Sequence, residues 1–271
     1  MPKICLVTGA SSGIGHATAL DLLRTGHIVY GAARRVEKMA ALEAAGGTAL
    51  AMDVSDEADL ERVVARVLDD HGRIDALVNN AGVGLHGSAE ETPLDRARQL
   101  MEVNLFGAAR LVQLVLPSMR AHGFGRIVNV SSIGGVITLP LGAWYYASKH
   151  AMEAYSDTLR EEVGRFGIDV VIVQPGIIKT PFEDTTGEEL LEFSGDGPYG
   201  DVARWMAERA KGSLGEGSKA SDPSVVAEAI RTAIDAPRPK TRYAVGYVAK
   251  LLLRLNRFLP DRAFDRLVTR T

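Results

Sequence analysis

The chain has 271 residues, of which 46% are hydrophobic and 24% are charged, a composition typical of a globular protein with a sizeable core. Its net charge is -3, from 31 basic and 34 acidic residues, so no basic excess favours nucleic acid as a partner. A single cysteine, Cys5, excludes an intramolecular disulfide and is compatible with a reducing compartment. The first strand-like run begins at Lys3, which leaves no room for a signal peptide, and no run of 18 apolar residues is present. We therefore expect a cytoplasmic protein.

The chain begins with a strand, a glycine-rich turn and a helix. The apolar residues 4–7 precede Gly9, Gly13 and Gly15, and the helix that follows ends at Gly26. Glycines let the backbone turn tightly and approach a pyrophosphate, whose charge the helix N-terminus stabilises. The spacing G-x-x-x-G-x-G departs from the dinucleotide-binding form G-x-G-x-x-G, so a plain strand-to-helix turn remains an alternative.

Strand-like and helix-like segments then alternate along the chain. Such alternation implies right-handed βαβ units. It predicts an α/β fold, a single Rossmann-type domain over residues 1–271 with a doubly wound parallel sheet of about seven strands and helices on both faces. Ligands of these sheets bind beyond the carboxyl ends of the strands. The later predicted strands are 27–33, 48–54, 73–80, 125–132, 168–174 and 241–246.

The end of the second strand distinguishes between the two nicotinamide cofactors. An NAD site usually places an acidic residue there, to bind the ribose 2′-hydroxyl. This chain has Arg34 and Arg35 instead, and guanidinium groups pair with a 2′-phosphate. The pattern favours NADP(H) over NAD(H), with a pair of solvated surface arginines as the alternative.

A long helix is predicted from Pro93 to about Arg120, with Thr92 as its N-cap. Its middle contains Asn104 and Gly107, which form helices poorly. Such a local conflict tends to mark a functional or strained position. For Asn104, an outward-facing polar side chain is the alternative.

Tyr145 and Lys149 lie four residues apart on a further predicted helix and so share a face. An ammonium beside a phenol lowers the pKa of the phenol and makes it a usable proton donor and acceptor. Tyr146 is also within reach of Lys149, so the spacing does not choose between the two tyrosines. Likewise Ser131 and Ser132 end the fifth predicted strand, and alternation lets only one of them face the tyrosine.

Five separated stretches resemble the short-chain dehydrogenase/reductase family, and the likeness covers about residues 3–180. Together these motifs are far more specific than any one of them. They are Thr8-Gly9-x-x-x-Gly13-x-Gly15, Asn79-Asn80-Ala81-Gly82, Asn104, Ser132 with Tyr145-x-Ala147-Ser148-Lys149, and Pro175-Gly176 with Thr180.

The resemblance implies a role for each catalytic position. Tyr145, rather than Tyr146, is the general acid/base that exchanges a proton with the substrate oxygen. Ser132, rather than Ser131, hydrogen-bonds that oxygen. Lys149 binds the nicotinamide ribose and lowers the tyrosine pKa, and Asn104 holds a water that links the lysine to solvent.

The resemblance also implies a cofactor site, in which Asp53 touches the adenine and the segment after the sixth strand seats the carboxamide. We predict no metal site. The predicted cofactor-binding residues are Gly9, Ser11, Ser12, Gly13, Ile14, Gly15, Arg34, Arg35, Asp53, Val54, Asn80, Ala81, Gly82, Tyr145, Lys149, Pro175, Gly176, Ile178 and Thr180.

Residues 181–220 follow the carboxamide segment and contain Phe182, Phe193 and Trp205. By position they are the substrate loop of the family, and we expect a mobile lid over an apolar substrate. A poorly ordered surface loop is the alternative. Leu139, Leu141, Trp144 and residues 83–86 are expected to add to the apolar wall.

A leucine-rich C-terminal helical extension, residues 247–271, interleaves five arginines: Arg254, Arg257, Arg262, Arg266 and Arg270. It resembles the tails of steroid- and retinol-type members. Burial against the substrate pocket or another subunit is the default for an amphipathic helix, and contact with a membrane surface is the less favoured alternative.

The expected activity is hydride transfer between NADP(H) and a ketone, aldehyde or secondary alcohol of an apolar molecule such as a steroid, a retinoid or a long-chain compound. A 3-oxoacyl reductase of fatty-acid synthesis and an NADP-binding regulatory protein without turnover are the alternatives. The resemblance suggests a homodimer or homotetramer formed through the helices near 93–120 and 145–165.

Overall fold

The computed structural model describes residues 1–214 and 218–269, with only the backbone of 182–185 and 212–214. The described strands form one sheet in the order β3-β2-β1-β4-β5-β6-β7. Every neighbouring pair of strands is parallel, which confirms the predicted doubly wound α/β fold. The strands are β1 (Ile4–Thr8), β2 (Ile28–Ala33), β3 (Thr48–Ala51), β4 (Ala76–Asn79), β5 (Gly125–Val130), β6 (Ile168–Pro175) and β7 (Arg242–Val245).

Helices cover both faces of this sheet. In β1, Ile4 and Leu6 point into one core cluster and Cys5 and Val7 into the other, as strand alternation requires. The first cluster is closed by α3, α5 and α6, and the second by α1, α2 and α9. The helices are α1 (Gly13–Arg24), α2 (Ala40–Ala44), α3 (Glu57–His71), α4 (Leu94–Met101), α5 (Gly107–His122), α6 (Ala143–Val163), α7 (Phe182–Ser194), α8 (Gly200–Leu214), α9 (Ser224–Asp235), α10 (Ala249–Phe258) and α11 (Asp261–Thr269).

Several predicted boundaries are wrong. β3 ends at Ala51 instead of residue 54, and β4 begins at Ala76 instead of residue 73. Thr92 does not cap α4: Pro93 occupies the N-cap position, and the Thr92 hydroxyl donates to the Ser88 carbonyl at 2.7 Å. Residues 181–220, expected as a loop, contain two helices, α7 and α8, which pack against each other. Residues 215–217, the side chain of Phe182 and Arg270 lie outside what the structure describes.

The predicted long helix is present, but it is interrupted. A π-helical turn, Glu102–Phe106, joins α4 to α5. It contains Asn104, whose side chain is buried instead of outward-facing. Leu94–His122, 29 residues, is long and apolar enough to cross a membrane by length and composition alone, yet Leu111 and Val115 pack in the core beneath the sheet.

Gly107 allows α5 to approach the loop after β3. A Cβ at this position would lie 2.1 Å from the Val54 carbonyl oxygen, a backbone atom that cannot move away cheaply. We expect Gly107→Ala to lower the free energy of unfolding by about 2–4 kcal/mol, measured by urea denaturation. Gly164→Ala is the control, since nothing lies within 4 Å of its added Cβ; an equal loss in both variants would contradict the packing argument.

Candidate active site

One cleft at the carboxyl edge of the sheet gathers residues from the loops that follow six strands, β1 to β6, and from α6. Two predicted site residues, Gly15 and Asn104, do not line the cleft. Gly15 packs against Gly9 and Asn104 is hydrogen-bonded to Val83, and both of these neighbours do line it. The predicted residues that line it are Gly9, Ser11, Ser12, Gly13, Ile14, Arg34, Arg35, Asp53, Val54, Asn80, Ala81, Gly82, Ser132, Tyr145, Lys149, Pro175, Gly176, Ile178 and Thr180.

The glycine-rich loop turns sharply beside the segment that follows β4. Gly9 and Gly13 have φ of 67° and 53°, which side chains other than glycine rarely adopt. A Cβ on Gly15 would lie 2.3 Å from the Gly9 carbonyl oxygen. The Asn80 side-chain amide donates to the Thr8 carbonyl at 2.9 Å. The glycines therefore permit a close backbone packing that larger residues would prevent.

Thr8 joins β1 to the loop after β4. Its hydroxyl accepts hydrogen bonds from the backbone N–H groups of Asn80, at 3.0 Å, and Ala81, at 2.9 Å. The sequence placed Thr8 in the glycine motif but gave it no role of its own. A threonine directly before the glycines was the signal that could have suggested it.

The N-terminus of α1 opens toward the cleft. Ser12 occupies the N-cap position, but its hydroxyl makes no capping hydrogen bond, and the first turn contains no acidic side chain. The first N–H groups of a helix have no partner within it and favour an anion. This arrangement suits a pyrophosphate.

Arg34 and Arg35 follow β2, and both are exposed at the edge of the cleft. Asp53 lies near Arg34 across the loop after β3. Burial alone would raise the pKa of Asp53, but hydrogen bonds from Ser55 and the charge of Arg34 hold it below its ordinary value. The rim here is cationic, with one carboxylate that is already hydrogen-bonded.

Lys149 is buried, and its ammonium donates to the Val130 carbonyl at 3.0 Å. Burial lowers the pKa of Lys149 from its ordinary value of 10.5 to about 8, while the carboxylate of Glu153 opposes that fall. Glu153 accepts hydrogen bonds from Gln174 at 3.0 Å and Arg242 at 3.0 Å. Glu153 was not predicted, although its position one helical turn after Lys149 was a usable signal.

The two tyrosines lie in different places. Tyr145 lines the cleft with Lys149. Tyr146 packs on Gly134 and Gly142, where added Cβ atoms would lie 2.9 Å and 2.5 Å from its ring, and it lines a separate apolar cavity. The structure thus brings Tyr145, and not Tyr146, to the cleft.

The two serines after β5 also differ, although both contribute to the cleft lining. The Ser131 hydroxyl is buried and has no hydrogen-bond partner among the described residues. The Ser132 hydroxyl accepts a hydrogen bond from the Gly134 N–H at 3.0 Å, so its own proton remains available for donation.

Asn104 braces the cleft from behind. Its side-chain oxygen accepts from the Val83 N–H at 2.8 Å, and its amide donates to the Val83 carbonyl at 3.0 Å. The amide also donates to the Ser148 hydroxyl at 3.1 Å, and that hydroxyl donates to the Tyr145 carbonyl at 2.7 Å. The π-helical turn therefore ties the loop after β4 to the helix that carries Tyr145.

The sequence matches the family model for short chain dehydrogenases over residues 3–190, which is more than half of the chain. The chain belongs to the short-chain dehydrogenase family. The structural neighbours agree: a short-chain dehydrogenase from Streptomyces avermitilis superposes with a TM-score of 0.82 and 37% identity, covering 94% of this chain and 92% of that one.

Several relatives are similar over nearly their whole length. A probable short-chain type dehydrogenase/reductase of Helicobacter pylori is 35% identical, covering 97% of this chain and 96% of the relative. A 3-ketodihydrosphingosine reductase of Bacteroides thetaiotaomicron is 35% identical, covering 96% and 94%. An NADPH-dependent 3-dehydrocapnine reductase of Ornithobacterium rhinotracheale is 34% identical, covering 98% and 95%.

In this short-chain dehydrogenase, the segment after β6 closes the cleft opposite the glycine loop. A Cβ on Gly176 would lie 2.1 Å from the Tyr247 carbonyl oxygen, so the close approach requires glycine. A Cβ on Gly13 would lie 3.2 Å from the Thr180 methyl group. The glycine loop and Thr180 therefore face each other across a narrow gap.

The expected apolar wall of this short-chain dehydrogenase is divided between two places. Trp144 packs with Leu85 and Phe193 next to Tyr145. Leu139 and Leu141 line the separate apolar cavity, beside Tyr146 and Trp205.

His86, the last residue of the predicted wall segment 83–86, lies beside Tyr145, although the sequence gave it no role of its own. Its ring lies 5.6 Å from the Tyr145 ring, centroid to centroid. The carboxylate of Glu189, on α7, accepts a hydrogen bond from the backbone N–H of His86 at 3.1 Å. The same carboxylate lies 3.4 Å from the ring Nδ1 of His86. Glu189 therefore links α7 to the histidine that lies beside Tyr145.

Proposed function

We propose that this short-chain dehydrogenase transfers a hydride between NADP(H) and the carbonyl or secondary alcohol of an apolar substrate. One observation carries the proposal. A single cleft has Arg34 and Arg35 at its rim, the open N-terminus of α1 within it, and Tyr145 and Lys149 on its wall. Its cationic groups suit the phosphates of the nucleotide, and its phenol suits proton transfer.

The residues present fit a dinucleotide. The helix N-terminus and the glycine loop would hold the pyrophosphate. Arg34 and Arg35 would pair with the 2′-phosphate, and Lys149 would bind the nicotinamide ribose. Pro175 to Thr180 would seat the carboxamide. When bound, NADPH supplies the hydride.

The chain's own residues then manage the proton. Ser132 would donate a hydrogen bond to the carbonyl oxygen and favour the charge that develops there. Tyr145 would give its proton to the same oxygen in reduction and take it back in oxidation. The ammonium of Lys149 favours the phenolate that this transfer leaves behind.

The substrate class is argued from the wall and from the relatives. The aromatic and apolar groups beside Tyr145 suit an apolar molecule. Two relatives that this chain matches over nearly their full length are named as reductases of 3-ketodihydrosphingosine and 3-dehydrocapnine. We therefore favour the ketone of a long-chain compound, reduced by NADPH, with α7 and α8 as the lid over it.

The direct test follows the absorbance of NADPH, and separately of NADH, while the purified enzyme is mixed with long-chain 3-keto compounds, steroids and retinoid-like aldehydes. We expect turnover with NADPH and a long-chain ketone. Tight NADPH binding with no turnover of any carbonyl would favour a regulatory protein instead.

Arg34→Ala/Arg35→Ala tests the cofactor preference. A hydrogen bond to a charged group contributes about 1.5–3 kcal/mol, so losing the pair should raise the KM for NADPH roughly tenfold to a hundredfold and change the KM for NADH less than about twofold. Arg98→Ala is the control, because Arg98 is exposed and lies outside the cleft lining. A parallel rise for both cofactors would contradict a 2′-phosphate contact.

A further inference from the structure

The two C-terminal helices carry large apolar side chains that the described chain does not cover. On α10, Leu251 is 58% exposed and Phe258 is 78% exposed, and on α11 Leu267 is 54% exposed. Other apolar residues of these helices, such as Phe264 and Ala249, are buried. The exposed side chains are therefore an unpartnered outer face, which in a folded protein usually marks an interaction surface.

This outer face is also strongly cationic. Residues 249–269 contain five basic and two acidic residues, a net charge of +3, in a chain whose total is -3. None of the five cations forms an ion pair with any residue that the structure describes. The five are exposed: Lys250, Arg254, Arg257, Arg262 and Arg266.

On α10, exposed apolar and cationic side chains share one helix face. Leu251, Arg254 and Phe258 stand at i, i+3 and i+7 of α10, which places them on the same side of the helix. The Arg257 guanidinium lies 5.9 Å from the centre of the Phe258 ring. An exposed face of this composition matches the interface of an anionic bilayer, where acyl chains accept the apolar groups and headgroups pair with the cations.

We propose that α10 and α11 dock this protein on an anionic lipid surface. A second copy is the weaker partner, because a twofold interface would bring the same cationic face against itself. Anionic headgroups instead offer opposite charges to these cations. The docking itself does not depend on the enzyme's activity.

The docking surface lies near the substrate side of the molecule. α10 packs against the turn Ile133–Gly135, which directly follows Ser132. Thr269, at the end of α11, lines the apolar cavity with Tyr146 and Trp205. If the proposed function holds, a lipid-soluble ketone would reach the enzyme from the surface on which the enzyme lies.

The experiment sediments the full-length protein with vesicles of phosphatidylcholine, alone or with about 30 mol% phosphatidylglycerol. We expect binding to the anionic vesicles only, and loss of that binding as salt rises from about 0.05 M to about 0.5 M. Arg254→Glu/Arg257→Glu should weaken binding by at least about 30-fold. Leu251→Ser/Phe258→Ser should weaken it about tenfold.

Arg238→Glu/Lys240→Glu is the matched control. It makes the same change of charge at exposed positions that precede β7, whereas α10 follows β7. This control should change vesicle binding less than about threefold. Circular dichroism and NADPH binding show that each variant is folded. The proposal is overturned if the wild type does not bind anionic vesicles. It is equally overturned if the control loses as much binding as the variants of α10. A different outcome also overturns the proposal. In it, the wild type is an oligomer that does not bind vesicles, and sedimentation velocity shows that Leu251→Ser/Phe258→Ser dissociates this oligomer.

Discussion

Replacing Tyr145 by phenylalanine is expected to lower kcat by at least about a thousandfold, because a positioned proton donor contributes about 10²–10⁴ to the rate. Phenylalanine keeps the ring that packs beside His86 and removes only the hydroxyl. The Kd for NADPH, measured by fluorescence titration, should therefore stay within about twofold of the wild-type value.

Tyr146→Phe provides the matched control for this prediction. It removes the same atom from the neighbouring residue, whose ring packs on Gly134 and Gly142 instead of lining the cleft. We expect its turnover to remain close to that of the wild type. If Tyr146→Phe were inactive while Tyr145→Phe turned over normally, the acid/base assignment would be wrong.

Lys149→Met is expected to abolish turnover and yet make the protein more stable. Burial of the charged ammonium costs stability. It lowers the pKa of Lys149 from an ordinary value of 10.5 to about 8 in the folded protein. Each pKa unit corresponds to about 1.4 kcal/mol. After allowance for the lost hydrogen bond to Val130, we expect the free energy of unfolding at pH 7 to rise by about 2 kcal/mol.

The size of this stability difference depends on pH. Between the folded value of about 8 and the ordinary value of 10.5, the unfolded chain binds more protons than the folded one, so wild-type stability rises with pH. Below pH about 8 the penalty is at its full size. The advantage of Lys149→Met should therefore be greatest below that pH and be lost before the pH reaches 10.5.

Urea denaturation of the nucleotide-free protein at several pH values measures this difference. Lys240→Met serves as the control, since Lys240 is exposed and its removal relieves no burial. An advantage that is equal at all pH values, or a loss of stability at pH 7, would show that the charge of Lys149 is not the cause.

The substitution Lys149→Met is thus expected to have opposite effects on activity and on stability. The proposed role of Lys149 would account for this cost, because a cation near a phenol favours the phenolate. Glu153 limits the cost by raising the Lys149 pKa. It is itself satisfied by Gln174 and Arg242.

Much of the fold could be predicted from the sequence because it depends on local patterns. Alternating strands and helices predicted the parallel sheet, and the glycines after β1 predicted a tight backbone turn there. Boundaries were less accurate: Thr92 has the chemistry of an N-cap, but its hydroxyl instead donates to the Ser88 carbonyl. A hydrogen bond to the residue four positions earlier thus replaced the expected capping bond.

Asn104 shows how far a local conflict can be interpreted. The sequence marked it as a poor helix former, which is consistent with a functional or strained position. Only the structure shows the π-helical turn that directs its side chain to Val83 and Ser148. Both partners are distant in the sequence, so no spacing within the helix predicts them.

By itself the sequence determined the doubly wound sheet, the residues that meet at its carboxyl edge and the composition of the amphipathic tail, because these depend on periodicity and residue type. The tertiary structure decided which tyrosine faces the cleft, how deeply Lys149 is buried, how Glu189 reaches His86, and that Leu251 and Phe258 face outward. Such contacts depend on how helices from distant parts of the chain pack on the sheet, and local sequence patterns do not specify that packing.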